Sequence, residues 1–198
     1  MATLKGSQTE KNILTAFAGE SQARNRYDFF AGQATKDGFR VIADIFTETA
    51  EQEKQHAKRL FKLLEGGTAE ILWSYPAGII GTTLENLKEA AAGEHEEYAE
   101  MYPSFAKVAQ EEGFKDIAPI FLNIASAETY HERRYLTLIE RLEENSLFKR
   151  PDTVVWKCKN CGFHLMGKDA PAKCPACDHP TGHFIEVVNA KKIEDDIF

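Results

Sequence analysis

The first 157 residues of this 198-residue chain contain no cysteine; all four cysteines fall between Cys158 and Cys177. A secreted scaffold spreads its bridges over the fold, so this distribution excludes one. The chain also lacks an excess of positive charge. Its net charge of −7 and pI near 5.4 leave no basic patch for a nucleic acid or an anionic membrane to use. Carboxylates gathered on a metal would make that figure a poor description of the surface. No apolar run approaches the ~20 residues that span a bilayer. The opening Met1-Ala2-Thr3-Leu4-Lys5-Gly6 lacks the apolar core of a signal peptide. The expected location is therefore cytoplasmic. What is present is enough hydrophobic sequence for a real core, 43%, and enough charge, 28%, for a solvated surface. The length allows one large domain or a domain and a half.

Ser7-x-x-Glu10 is a capping box that opens a helical pattern reaching about Asp37. Lys36-Asp37-Gly38 is a turn, and a second helix runs from about Phe39 to Glu65, where Gly66-Gly67 ends it. Residues 68–81 have no helical period; Trp73, Tyr75 and Pro76 mark a long connection ordered by its aromatics. Thr82-x-x-Glu85 starts a third helix to about Glu112, which Pro103 should kink. The fourth runs from Phe114 or Ile117 to Glu144, with Pro119 in its first turn. Each segment is ~25–30 residues, or ~40 Å of helix. Two helical hairpins joined by one long connection describe a mainly α, ferritin-like four-helix bundle with one long crossover. Phe17, Phe29, Phe30, Phe46, Phe105 and Phe121 read as its core. After Lys149-Arg150-Pro151 the composition shifts. Val154-Val155-Trp156 and Phe184-Ile185-Glu186-Val187-Val188 read as short strands of a small β-rich ribbon. Two domains are expected, 1–149 and 150–198.

The bundle half contains an internal repeat. Glu53-Lys54-Gln55-His56 returns 75 positions on as Glu128-Thr129-Tyr130-His131. On a helix, residues three apart lie ~60° apart, so each pair can reach one metal ion. The surroundings return too: Gly38-Phe39 with Gly113-Phe114, Ile45-Phe46 with Ile120-Phe121, Arg59 with Arg134. A single Glu-x-x-His is usually a solvated helix face. Here Ala18-Gly19-Glu20 also returns as Ala92-Gly93-Glu94. Each half thus supplies a lone Glu on one helix and Glu-x-x-His on the next. Glu20, Glu53, His56, Glu94, Glu128 and His131 are the ligand set of di-iron or di-manganese carboxylate bundles. Hard oxygen donors with one imidazole per metal suit iron or manganese rather than copper or a closed zinc site.

Glu97 is an addition, since its counterpart in the first half is Ala23. The repeat offset is 74 from Glu20 to Glu94 but 75 from Tyr27 to Tyr102. One residue has been inserted between Glu94 and Tyr102, and a helix absorbs such an insertion as a π-bulge. The bulge would aim Glu97 at the cluster, where it and His56 would compete for one metal. Five glutamates carry five negative charges, between the four positive charges of two ferrous ions and the six of two ferric ions, so neither state leaves a large uncompensated charge. Tyr27 and Tyr102 are placed to hydrogen-bond the ligating carboxylates. His95 falls ~100° off the ligand face and reads as exposed.

Cys158-x-x-Cys161-Gly162 and Cys174-Pro175-x-Cys177 form two knuckles, the pattern of a tetrahedral tetrathiolate site. Spacing alone leaves structural zinc and a one-electron iron both open. His164, His179 and His183 are surplus to four-coordination and are assigned to the surface.

The order Glu20, Glu53-x-x-His56, Glu94-x-x-Glu97, Glu128-x-x-His131 and then Cys158-x-x-Cys161…Cys174-x-x-Cys177 resembles the rubrerythrin family over essentially the whole chain. The resemblance implies a ferritin-like di-iron site followed by a rubredoxin-like domain with one iron on four cysteines. It implies a peroxidase reducing hydrogen peroxide to water, with electrons from a rubredoxin or an NAD(P)H-dependent reductase, in a homodimer or larger assembly. Glu53 and Glu128 would bridge the irons, Glu20 and Glu94 would be terminal, His131 would ligate one iron, and Glu97 and His56 would exchange at the other. A nearby carboxylate, Glu97, or a tyrosine would deliver protons. The rival readings are a ferroxidase or iron-handling protein, and a non-enzymatic metal-binding redox sensor.

Overall fold

The computed structural model describes residues 3–187. Helix α1 spans Gln8–Lys36 and α2 spans Arg40–Phe61. Ser7 caps α1 by accepting the Glu10 N–H at 3.0 Å. The α1–α2 corner needs a left-handed residue after the last turn, and Gly38 supplies φ +86°. Its repeat mate Gly113 does the same at φ +89°, and in both corners the following phenylalanine N–H bonds back at 2.8 Å, to Ala34 and Ala109. Helix α2 stops earlier than Glu65. Leu63 and Leu64 bond three residues back, to Leu60 and Phe61, and this tightened turn ends the helix before Gly66 and Gly67 are reached.

The crossover from 62 to 82 is ordered by its aromatics. Tyr75 donates to the Thr15 carbonyl at 3.0 Å and the Trp73 ring sits 5.5 Å from Phe105, edge on. Helix α3, Thr83–Glu96, opens with the capping box of Thr82 and Glu85. A π-helical segment, Glu97–Met101, follows and passes into α4, Tyr102–Glu111. The inserted residue is absorbed in that segment, so the interruption lies just before Pro103, which takes the first turn of α4. Helix α5 is Ala118–Glu143, with Pro119 in its first turn.

The four helical legs bury two apolar clusters with a polar layer between them. One holds Tyr27, Phe30, Phe46, Leu87, Tyr135 and Leu138; the other holds Ile13, Leu60, Tyr102, Phe105 and Phe121. Of the phenylalanines expected in the core, Phe29 is instead exposed and Phe17 half-buried. Phe29 precedes Phe30 by one residue, and a 100° step turns it off the face that Phe30 buries.

The ribbon is a three-stranded antiparallel sheet in the order β2-β1-β3: β1 Lys149–Cys158, β2 His164–Asp169 and β3 Phe184–Glu186. Strand β2 was not expected from sequence. Val188, placed in the last strand by the sequence reading, lies outside the described residues. Trp156 and Phe184 form the small core with Cys158 and Cys174. The ribbon rests on the bundle where Gly182 packs on the Gly38 carbonyl and Lys159 pairs with Asp44 of α2 at 2.7 Å.

Candidate metal centres

Glu20 comes from α1, Glu53 and His56 from α2, Glu94 from α3, Glu128 and His131 from α5. All but His56 are buried, and they occupy the layer between the two apolar clusters. The ligand atoms fall into two groups: Glu20, Glu53, His56 and Glu128, and Glu53, Glu94, Glu128 and His131, each with its atoms within 4.8 Å of one another. Glu53 and Glu128 belong to both groups and therefore lie where the two groups meet. His56 Nδ1 is 3.0 Å from both Glu53 and Glu128, and His131 Nδ1 is 2.7 Å from Glu128 and 3.0 Å from Glu53.

Two metal ions fit these residues. Glu20 Oε2, Glu53 Oε1, Glu94 Oε2, both oxygens of Glu128 and His131 Nδ1 are buried and make no aligned hydrogen bond. Six convergent orphan donor atoms in one layer would be costly as plain core. They become ligands once cations lie among them. Without a cation, burial together with the neighbouring carboxylates pushes Glu20 up to about 7 and Glu94 well above the carboxylate range. Burial alone would lower His131, but bonds to Glu128, Glu53 and Glu94 outweigh it and push the imidazole up to about 12. His56 is raised against its burial in the same way.

Tyr27 donates to Glu94 Oε1 and Tyr102 donates to Glu20 Oε1. Each phenol thus reaches the carboxylate of the other half of the repeat. Burial, then the adjacent carboxylate, holds both tyrosines well above the ordinary phenol range, so each remains a donor. Glu97 stands on the π segment, half-buried, and belongs to neither ligand group. Its carboxyl is raised by burial and then by Glu20 and Glu94, so it lies in the field of the cluster. His95 is exposed and pairs with Glu132 at 2.9 Å.

Sequence reasoning missed Gln52, whose Oε1 lies 2.9 Å from His131 Nε2. It belongs to no motif. The repeat itself could have flagged it, since its mate 75 positions on is Ala127.

In the ribbon the four sulfurs converge. Cys158 Sγ is 3.8 Å from Cys177 Sγ, and Cys161 Sγ is 3.6 Å from Cys174 Sγ. A tetrahedron with metal–sulfur arms of about 2.3 Å has edges of ~3.8 Å. Each knuckle closes through a left-handed residue, Gly162 at φ +80° and Asp178 at φ +57°. The Gly162 N–H bonds the Cys158 carbonyl and the Asp178 N–H the Cys174 carbonyl, both at 2.9 Å. A backbone hydrogen bond in the His179 turn leads the effects that hold Cys177 down to about 6, favouring thiolate. His164 is exposed as assigned, but His179 and His183 are half-buried, their rings 4.8 Å apart, because the turn that closes the second knuckle packs them together.

A bundle that gathers glutamates and histidines from four helical legs around one buried layer, joined to a tetrathiolate ribbon, defines a ferritin-like di-iron carboxylate protein with a one-iron rubredoxin-like domain. The rubrerythrin family model matches residues 11–139, and that of the rubrerythrin rubredoxin-like domain matches residues 156–185. The chain belongs to the rubrerythrin family. It is 60% identical to a rubrerythrin of Nitratidesulfovibrio vulgaris over 93% of this chain and 96% of that one. It is 58% identical to a rubrerythrin of Porphyromonas gingivalis over 92% of this chain and 91% of that one. Among solved structures, fully reduced, all-ferrous nigerythrin is similar at 32% identity, with a TM-score of 0.61 over 92% of this chain and 87% of that one. An open-pore ferritin from Archaeoglobus fulgidus shares the fold at 14% identity, with a TM-score of 0.61 over 74% of this chain and 90% of that one.

Proposed function

We propose that this chain is a non-haem di-iron peroxidase that reduces hydrogen peroxide to water and so protects against oxidative stress. The observation that carries the reading is the pairing, in one chain, of a two-metal carboxylate layer with a four-thiolate site. When bound, a pair of irons supplies Lewis acidity and two electrons, and the thiolate iron passes electrons singly. The balanced reaction takes one peroxide, two electrons and two protons to two waters. A rubredoxin or an NAD(P)H-dependent reductase is the expected electron source, and a homodimer or larger assembly the expected working form.

The chain's own residues have separable parts in this reading. Glu53 and Glu128 would each serve both metals, because each belongs to both ligand groups. Glu20 and Glu94 would each hold one metal, each oriented by a tyrosine from the opposite half. His131 serves one metal position and His56 the other. Glu97 lies in the field of the cluster without joining either ligand group, and would take the place of His56 as the charge of the site changes. When not a ligand, its carboxyl can hand a proton to the leaving oxygen.

A ferroxidase would use the same bundle but needs no electron input, and the thiolate ribbon favours the peroxidase. The test is to reduce the purified protein anaerobically and mix it with peroxide and, separately, with oxygen, following the visible bands of both iron centres. Faster reoxidation of both centres by peroxide, sustained by a donor over many turnovers, supports the proposal. Faster reaction with oxygen points to a ferroxidase. A single turnover that no donor renews points to a sensor. A colourless, zinc-filled ribbon removes the electron port and overturns the relay.

A further inference from the structure

We infer that Gln52 is a positioning residue that holds His131 in one orientation and one tautomer, and that the lack of its repeat mate leaves His56 unlatched. The inference rests on the two-metal reading of the bundle, and not on peroxide as the substrate.

The chain of bonds starts at the surface of α2. Glu48 is a carboxylate and can only accept hydrogen bonds. Its Oε1 accepts from Arg134 Nη1 at 3.0 Å and from Gln52 Nε2 at 3.3 Å. Arg134 is itself held on α2, with Nη2 donating to Thr49 Oγ1 at 3.0 Å and to the Ile45 carbonyl at 3.3 Å. The Gln52 amide nitrogen is thereby committed to Glu48, and its oxygen turns to His131 at 2.9 Å. An amide oxygen accepts, so His131 Nε2 must carry the hydrogen. The lone pair of the neutral ring is then on Nδ1, the nitrogen 2.7 Å from Glu128 and 3.0 Å from Glu53. One hydrogen-bond chain, begun by an exposed acid, thus fixes which nitrogen of a buried histidine is offered to the metal layer.

His56 has none of this. Its Nδ1 faces Glu53 and Glu128 as that of His131 does, yet among the described residues no side chain bonds its Nε2. The side chain is 18% exposed, against 3% for His131. The repeat explains the difference. At an offset of 75, Gln52 corresponds to Ala127, Glu48 to Asn123 and Thr49 to Ile124. Only the arginine persists, as Arg59. The two arms share Glu53 and Glu128 and differ in their supports.

The test uses the full chain carrying Gln52→Met, which keeps length and removes the acceptor. Zinc-loaded, 15N-histidine-labelled protein should show the His131 Nε2–H protected from solvent exchange in the unmodified chain and that of His56 exchanging fast. In Gln52→Met the His131 proton should exchange at least tenfold faster. Titration of the bundle site with cobalt(II) should show one binding step weakened about 10–100-fold and the other unchanged. Ala127→Gln, which leaves the His131 support alone, should slow exchange at His56. Unchanged protection of His131 and unchanged cobalt affinity in Gln52→Met would overturn the inference, as would equal protection of both histidines in the unmodified chain. An unmodified bundle that binds no cobalt would instead defeat the two-metal reading itself.

Discussion

The phenol of Tyr27, in the first half of the repeat, hydrogen-bonds the carboxylate of Glu94, in the second. Tyr102 returns the bond to Glu20. The halves are therefore tied through the metal layer and not only through apolar packing. Tyr27 also belongs to the aromatic cluster, its ring 5.8 Å from Tyr135 and 6.1 Å from Phe46. Tyr27→Phe keeps that packing and removes one donor. It leaves Glu94 Oε1 buried without a partner, which costs about 1–3 kcal/mol. Denaturant unfolding of metal-free protein should show that loss, and metal affinity at the Glu94 side should fall about tenfold. An unchanged unfolding midpoint together with unchanged affinity would contradict the assignment.

A second reciprocal pair joins the helix ends. Asp37, just past α1, accepts from Thr83 N–H at 2.9 Å and from its hydroxyl at 2.6 Å, capping α3. Its repeat mate Glu112, just past α4, accepts from Thr9 N–H at 2.8 Å and from its hydroxyl at 2.6 Å, capping α1. Bonds from the Thr83 hydroxyl and backbone hold Asp37 below its usual 3.8. A depressed carboxylate stabilises the fold above its unfolded pKa and loses that contribution as pH falls through its folded pKa. Asp37→Ala should cost about 1 kcal/mol at pH 6. The difference from the unmodified chain should stay flat above pH 5 and shrink below 3.8. Unfolding curves for the two proteins at matched pH measure it.

These long-range caps were not legible in the sequence, but the corners beside them were. Gly38 with Gly113, and the paired Glu and His positions, repeat visibly because the same local geometry is needed twice. The four cysteines and the one-residue insertion before Tyr102 were equally plain. What stayed hidden depends on contacts between segments. Strand β2, His164-Leu165-Met166-Gly167-Lys168-Asp169, has no β-branched residue and contains a glycine. It is a strand only because β1 pairs with it. Gln52 is an ordinary exposed-helix residue until α5 brings His131 against it. The cross-half direction of the tyrosine bonds could not be read from spacing, since Tyr27 and Glu20 share a helix and the bundle alone decides which carboxylate each phenol meets.

The ribbon makes a separate prediction. Cys161 is the exposed member of the thiolate set and sits 3.6 Å from Cys174. Cys161→Ser replaces a thiolate by a poor metal donor in a domain whose core is little more than Trp156 and Phe184. Donor-driven peroxide turnover should fall to background, while helical circular dichroism and the di-iron absorption persist. Full turnover in that variant would remove the ribbon from the electron path.

The π segment allows the sharpest test of the inequivalent halves. In α1 a regular helix places Glu20 and Tyr27 on the buried face with no insertion. The second half has one extra residue between Glu94 and Tyr102, and Glu97 where the first half has Ala23. Deleting the exposed Ala99 and replacing Glu97 by alanine would make α3 and α4 one helix of the α1 kind. Such a helix has full i→i−4 bonding and one fewer half-buried acid, so the bundle should unfold at the same temperature or higher. It should still bind two metals, because Glu94, Glu128 and both histidines remain. Peroxide turnover should drop about 10²-fold or more if Glu97 supplies the proton. A stable, metal-loaded variant with full turnover would show that the bulge and its carboxylate are dispensable, and that the asymmetry resides in the histidine supports alone.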